Sequence, residues 1–112
     1  ITEKELADYK STIHDVLVEE RIVTYIATII SSTRNHPHLY LGASPRASLA
    51  VFIAAKTFAA INNRDFVIPE DVKKSIYPVL RHRIILTPER KMEGTNTDKV
   101  IEMIIQSIEV PR

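Results

Sequence analysis

The sequence predicts an all-α chain, a compact bundle of about five helices that forms one domain over residues 1–112. Three observations carry this expectation. Apolar residues return every three or four positions, the mark of helices with one buried side, and not every second position as in strands. Only two glycines, Gly42 and Gly94, are present. Prolines and asparagines fall mainly between the periodic stretches, where helices start and stop.

Thr2 with Glu5 three residues on is a capping-box pattern, and it opens a helix whose apolar side is Leu6, Tyr9 and Ile13. Val16-Leu17-Val18 is short and reads as a connector. Ile22, Ile26, Ile29 and Ile30 share one face of a second helix, which Asn35, His36 and Pro37 end near Arg34. After a loop from Asn35 to Gly42, Ser44-Pro45 supplies an N-cap and a proline suited to the first helical position. The many alanines of the helix that follows suggest close approach to neighbouring helices, and it is expected to pack Leu49, Phe52 and Ile53 inward and to close at Asn62-Asn63 with a left-handed residue. Phe66-Val67-Ile68 runs extended into Pro69-Glu70-Asp71, the first turn of a helix with Val72, Ile76, Val79 and Leu80 inside. Pro78 is expected to shorten or kink it. Arg81-His82-Arg83, Ile84-Ile85-Leu86 and a polar stretch from Thr87 to Asn96 follow. Thr97-Asp98 is expected to cap a last helix that turns Ile101, Ile104, Ile105 and Ile108 inward.

Composition removes several functions. Fifteen basic and fourteen acidic residues leave a net charge of +1, too little to advertise nucleic acid or an anionic membrane. The chain has no cysteine, which excludes disulfides and thiolate chemistry and fits a reducing, cytoplasmic setting. The apolar run from Leu49 to Ala55 is far short of the ~20 residues of a membrane span. Neither a Gly-x-x-x-x-Gly-Lys-Ser/Thr loop nor a Gly-x-Gly-x-x-Gly turn is present, so the chain alone is not expected to hydrolyse a nucleotide or to hold one. His36 and His38 flank Pro37 without cysteines or helical zinc spacing, and we expect a turn with two exposed histidines and no metal site.

Arg46 is out of place on physical grounds. It falls in the first turn of a helix, where the dipole favours acids and a cation costs up to ~1 kcal/mol. With Ser44, the free amides and the Gly42 loop it could cradle an anion. On local grounds alone the plainer reading is favoured, that it points to solvent or pairs with a neighbouring carboxylate. Arg81-His82-Arg83 and Arg90-Lys91 could touch phosphates, although a solvated or interdomain cluster fits the balanced charge better.

Leu41-Gly42-Ala43-Ser44-Pro45-Arg46-Ala47 resembles the Gly-Ala-Ser-Pro-Arg segment of the MoxR family of AAA+ ATPases, in the helical lid that follows the nucleotide-binding core. Thr33-Arg34, Asn63-Arg64-Asp65-Phe66-Val67, Pro69-Glu70-Asp71-Val72 and Val79-Leu80-Arg81-His82-Arg83 are similar to further segments of that lid, in the same order. The resemblance runs from about Leu6 to Thr87. It departs at Asn63, where glycine is usual, and at Ile68, where a capping threonine is common.

The resemblance implies a role for Arg46 as the second-sensor arginine, which reaches across to the terminal phosphates of ATP. Gly42 would let the backbone turn into the helix, with Ser44 beside the nucleotide. Arg81, His82 and Arg83 would be candidates for contact with the core or the next subunit. It further implies that ATP and magnesium are held by a core lying upstream of Ile1 on the same chain. The working assembly would be a homo-oligomeric ring, a hexamer, that remodels or matures client proteins, with von Willebrand factor A domain proteins as partners. Neither nucleic acid nor membrane is expected. A helical nucleic-acid-binding module and a non-enzymatic helical adaptor are the alternatives from other classes.

Overall fold

Among the described residues helix periodicity is realised in six helices and one small ribbon: α1 (Glu3–His14), α2 (Glu20–Arg34), β1 (Leu39–Leu41), α3 (Pro45–Ile61), α4 (Pro69–Leu80), β2 (Ile85–Leu86), α5 (Pro88–Met92) and α6 (Thr97–Ser107). The computed structural model describes residues 2–111, with side chains for all of these except Leu6, Tyr9, Lys10, Tyr40 and Leu41. Leu6 and Tyr9, expected on the inner side of α1, therefore lie outside the described side chains; Ile13 is half-buried. The capping box of α1 forms as expected, with Thr2 Oγ1 accepting from Glu5 N–H at 3.1 Å.

The core lies among α2, α3, α4 and α6. Ile29, Val51, Val72, Ile76, Leu80, Val100, Ile101 and Ile104 are its most buried larger members. Three inner faces agree with the sequence reading, those of α2, α4 and α6, except that Ile108 is only half-buried at the end of α6. On α3 the expectation is overturned. Its buried stripe is Ala47, Val51, Ala55 and Ala59, whereas Leu49 is 61% and Ile53 52% exposed and Phe52 is half-buried. The reason is distance: α3 packs most extensively on α4, and a stripe of small side chains spaced by four lets the two backbones approach closely. Larger residues on that face would hold them apart.

Several loops carry more order than periodicity reveals. Leu17 and Phe66 pair in parallel, Leu17 N–H donating to Asp65 O at 2.8 Å and Val67 N–H to Leu17 O at 2.9 Å. The connector thus lies against the approach to α4 and buries Val16 and Val67. β1 and β2 pair antiparallel with an irregular register, Leu39 opposite Leu86 and Leu41 opposite Ile85. This strand pairing was not expected; each strand is too short to display an alternation. Thr87-Pro88 starts the short helix α5, also unforeseen. The last helix is capped one residue earlier than expected, by Asn96, whose side chain accepts from Lys99 N–H at 2.9 Å. Pro78 does not end α4, which continues to Leu80. Pro78 and Lys74, whose carbonyl loses its usual partner, are both exposed, on the side of the helix where such a loss costs least.

Both departures from the family pattern are accommodated locally. Asn63 takes φ 60°, the left-handed region in which asparagine is the commonest substitute for glycine. Ile68 has no side-chain oxygen to cap α4, and the helix is fastened instead by Asp71, whose Oδ2 accepts from Ile68 N–H at 3.0 Å. Asp71 is 1% exposed, and its Oδ1 meets the Arg64 guanidinium.

Candidate functional site

The last turn of α2 fixes where α3 begins. Thr33, 1% exposed, donates its hydroxyl proton to Ile30 O at 2.7 Å and accepts Ala43 N–H at 2.9 Å. Arg34 Nε donates to Ala43 O at 3.3 Å. Gly42 sits against the same turn, where a Cβ would come within 2.7 Å of Arg34 Cα and closer still to the Thr33 carbonyl. Those are backbone atoms with nowhere to move. Gly42 was expected to serve by turning the chain sharply, but the positive-φ glycine is Gly94. What Gly42 provides is close approach.

Ser44 takes the extended N-cap conformation, φ −76° and ψ 164°, and Pro45 occupies the first turn, as the sequence indicated. The Ser44 hydroxyl, however, makes no capping bond. Ala47 is fully buried and returns its N–H to Ser44 O at 3.0 Å. Arg46 is exposed, and no acid occupies the first turn of α3. Among the described residues it is the one arginine with neither a hydrogen bond from its side chain nor an ion pair. Arg21 meets Glu19, Arg64 Asp71, Arg81 Asp98 and Arg90 Glu93, while Arg34 and Arg83 bond to carbonyls. Among the described residues the alternative of a carboxylate partner for Arg46 is therefore not realised, and its side chain is exposed as the solvent-facing alternative has it. Beside this turn an apolar groove of about 400 Å³ runs between α2 and α3, lined by Val23, Ala27, Pro45, Leu49 and Phe52 among others.

Arg81-His82-Arg83 is largely engaged within the fold. Arg81 grips Asp98 with two bonds, Nε to Oδ1 at 2.8 Å and Nη2 to Oδ2 at 3.0 Å, tying the end of α4 to the start of α6. That contact holds the Asp98 carboxyl below its ordinary range and raises the guanidinium of Arg81. Arg83 Nη1 donates to Val79 O at 2.6 Å and so satisfies a carbonyl in the last turn of α4. His82 is exposed. With Arg81, Arg83 and Arg90 occupied, this region offers phosphates fewer free cations than its sequence suggests.

The histidine turn forms, but its two histidines, expected to be exposed, are both half-buried against each other. His38 N–H donates to His36 Nδ1 at 3.1 Å, and the rings meet edge to face with centroids 5.0 Å apart. Burial, and then the neighbouring His38, push the His36 imidazole below its ordinary pKa. Among the described residues no group of three His, Asp or Glu side chains could hold a metal ion.

This arrangement has relatives. The AAA lid domain family matches residues 31–104. The chain belongs to that family. The lid is 37% identical over 99 residues to the protein YeaC of Bacillus subtilis, covering 88% of this chain and 31% of YeaC. It is 35% identical over 104 residues to the chaperone MoxR1 of Mycobacterium tuberculosis, covering 85% of this chain and 28% of MoxR1. A crystal structure of a Cytophaga hutchinsonii protein assigned as an ATPase superposes with a TM-score of 0.93 at 31% identity, over all of this chain and 37% of that one. The lid thus spans about a third of the length of these relatives and is of the MoxR type. No helix among the described residues is long and apolar enough to cross a membrane.

Sequence reasoning missed the Thr33 hydroxyl as a structural centre. Thr33-Arg34 stood out only through the family resemblance, because a threonine in the last turn of a helix carries no periodic signal.

Proposed function

We propose that the chain is the lid of a larger AAA+ ATPase and that Arg46 contacts the terminal phosphates of ATP held by a core on the same polypeptide. One observation carries this reading: Arg46 is exposed at a helix N-terminus, with no partner among the described residues to neutralise it. The helix dipole and the guanidinium disfavour each other until an anion arrives, and both then face it. The Ser44 hydroxyl and the Arg46 N–H are further donors on the same turn. Charge-assisted contacts of this kind would be lost as the terminal phosphate leaves, which couples the nucleotide's state to the orientation of the lid.

The donors of this turn suit an anion and not a cation. It has no carboxylate to offer magnesium, so the metal belongs with the core in this reading. His82, exposed beside two engaged arginines, is the member of its cluster best placed to meet the core or the next subunit. A homo-oligomeric ring, hexameric by family resemblance, acting on client proteins in the cytoplasm, completes the proposal.

The test is ATP turnover by the full-length protein with Arg46→Ala, read beside the stability of the lid. Turnover should fall ten- to several-hundredfold, ~1.4–3.5 kcal/mol of transition-state stabilisation. The isolated lid should be unchanged or up to ~1 kcal/mol more stable, because a cation leaves the positive end of a helix. Unaltered turnover with an intact assembly would refute the role of Arg46.

A further inference from the structure

The start of α3 lacks a cap of its own. The Ser44 hydroxyl makes no bond to the helix amides, and Pro45 has no N–H. Left to local chemistry, this turn would fray, and Arg46 with it. It is held from outside instead, by the preceding helix. The buried Thr33 hydroxyl is used twice, as donor to Ile30 O and acceptor from Ala43 N–H, and Arg34 takes the Ala43 carbonyl. Both polar groups of the Ala43 backbone are therefore bound by the last turn of α2. Gly42 meets that turn with no room for a side chain, so the contact cannot slide. Only Ser44 and Pro45 separate this clamp from Arg46, and the buried Ala47 fixes the helix on the other side.

We propose that Thr33, assisted by Arg34, is a positioning residue for Arg46: it sets the place and direction of the first turn of α3 and so determines where the guanidinium can reach. This rests on the reading of Arg46 given above. A hydroxyl that accepts and donates at once cannot be replaced by a methyl of the same shape. Valine at this position would leave Ala43 N–H and its segment without a fixed partner while changing little volume.

The test is steady-state ATP hydrolysis by the full-length protein, with Thr33→Val, Thr33→Ser, Arg46→Ala and the Thr33→Val, Arg46→Ala double variant. Thr33→Val is expected to lower kcat by about tenfold with a smaller change in KM, because the misplacement acts on a contact that strengthens in the transition state. Thr33→Ser keeps the hydroxyl and should restore activity to within about twofold. In the Arg46→Ala background the valine should have no further effect, since the residue it positions is gone. Arg34→Ala, on an exposed side chain, removes the second contact without threatening the core and should cost about threefold; it decides the question if Thr33→Val does not fold. An impaired Arg46→Ala enzyme combined with a fully active Thr33→Val or Arg34→Ala enzyme would overturn the positioning role alone. Equal losses from Thr33→Val with and without Arg46 would do the same. An Arg46→Ala enzyme of unchanged turnover would remove both readings.

Discussion

Replacing Asp71 by alanine probes how α4 is fastened, and its cost can be worked from the contacts. Asp71 is 1% exposed, accepts Ile68 N–H at 3.0 Å with one carboxylate oxygen and meets Arg64 with the other. The first contact substitutes for an N-cap and is worth ~1 kcal/mol. The second is charge-assisted, ~1.5–3 kcal/mol. Its loss would strand a guanidinium whose Nε already lacks a protein partner among the described residues. Arg64 retains 26% side-chain exposure, so water recovers part of the charge, and the lower half of the range applies. The expected loss is ~3 kcal/mol. With ~2.1 cal/mol/K of unfolding entropy per residue over 112 residues, that lowers Tm by ~13 °C. Urea unfolding followed by helical circular dichroism would measure it, with an unchanged m-value as the sign of an intact native fold. Arg64→Met added to Asp71→Ala should recover about half of the loss by removing the stranded charge. Glu70→Ala, one residue away on the surface, should stay within ~0.5 kcal/mol of wild type. A loss below ~1 kcal/mol for Asp71→Ala, or none of the recovery, would refute the argument.

Two further outcomes are expected. On α3, Ala55→Leu should destabilise by ~1–3 kcal/mol through overpacking, whereas Leu49→Ala should cost less than ~0.5 kcal/mol; urea midpoints in the reverse order would mean that the helix is rotated from the orientation described. The His36 pKa is depressed in the folded state, so the folded protein binds this proton less readily than the unfolded chain. Its contribution to stability is complete above the ordinary pKa of 6.5 and is lost as pH falls below that value. His36→Asn keeps an acceptor for His38 N–H without titrating, and thermal melts between pH 7.5 and 5.5 should show a smaller decline than in wild type. Parallel declines would exclude His36 as the source.

The longer helices of this fold were legible because each announces itself locally, whereas the five-residue α5 is too short to show a period. Isoleucines at helical spacing gave the faces of α2 and α6, and Ser44-Pro45 and Pro69-Glu70-Asp71 gave the starts of α3 and α4. The inner face of α3 was misread because hydrophobicity ranks leucine above alanine, whereas the closeness of α4 decides which of them fits. The ribbon between Leu39–Leu41 and Ile85–Leu86 was hidden for another reason: pairing between segments so far apart leaves no trace in either one. Arg46 was visible as a cation at the wrong end of a helix. That Arg81 is occupied was not, since Asp98, seventeen residues on, becomes its neighbour only in three dimensions; the Arg83 contact with the Val79 carbonyl is local and was overlooked.

The alanine stripe of α3 divides that helix into two halves under different constraints. Ala47, Val51, Ala55 and Ala59 are buried against the rest of the fold, while Leu49 and Ile53 on the other side are largely exposed. Substitutions on the outer half should therefore add to changes elsewhere without epistasis through the core. A lineage could retune what this surface meets, residue by residue, without first acquiring a reserve of stability to survive the change.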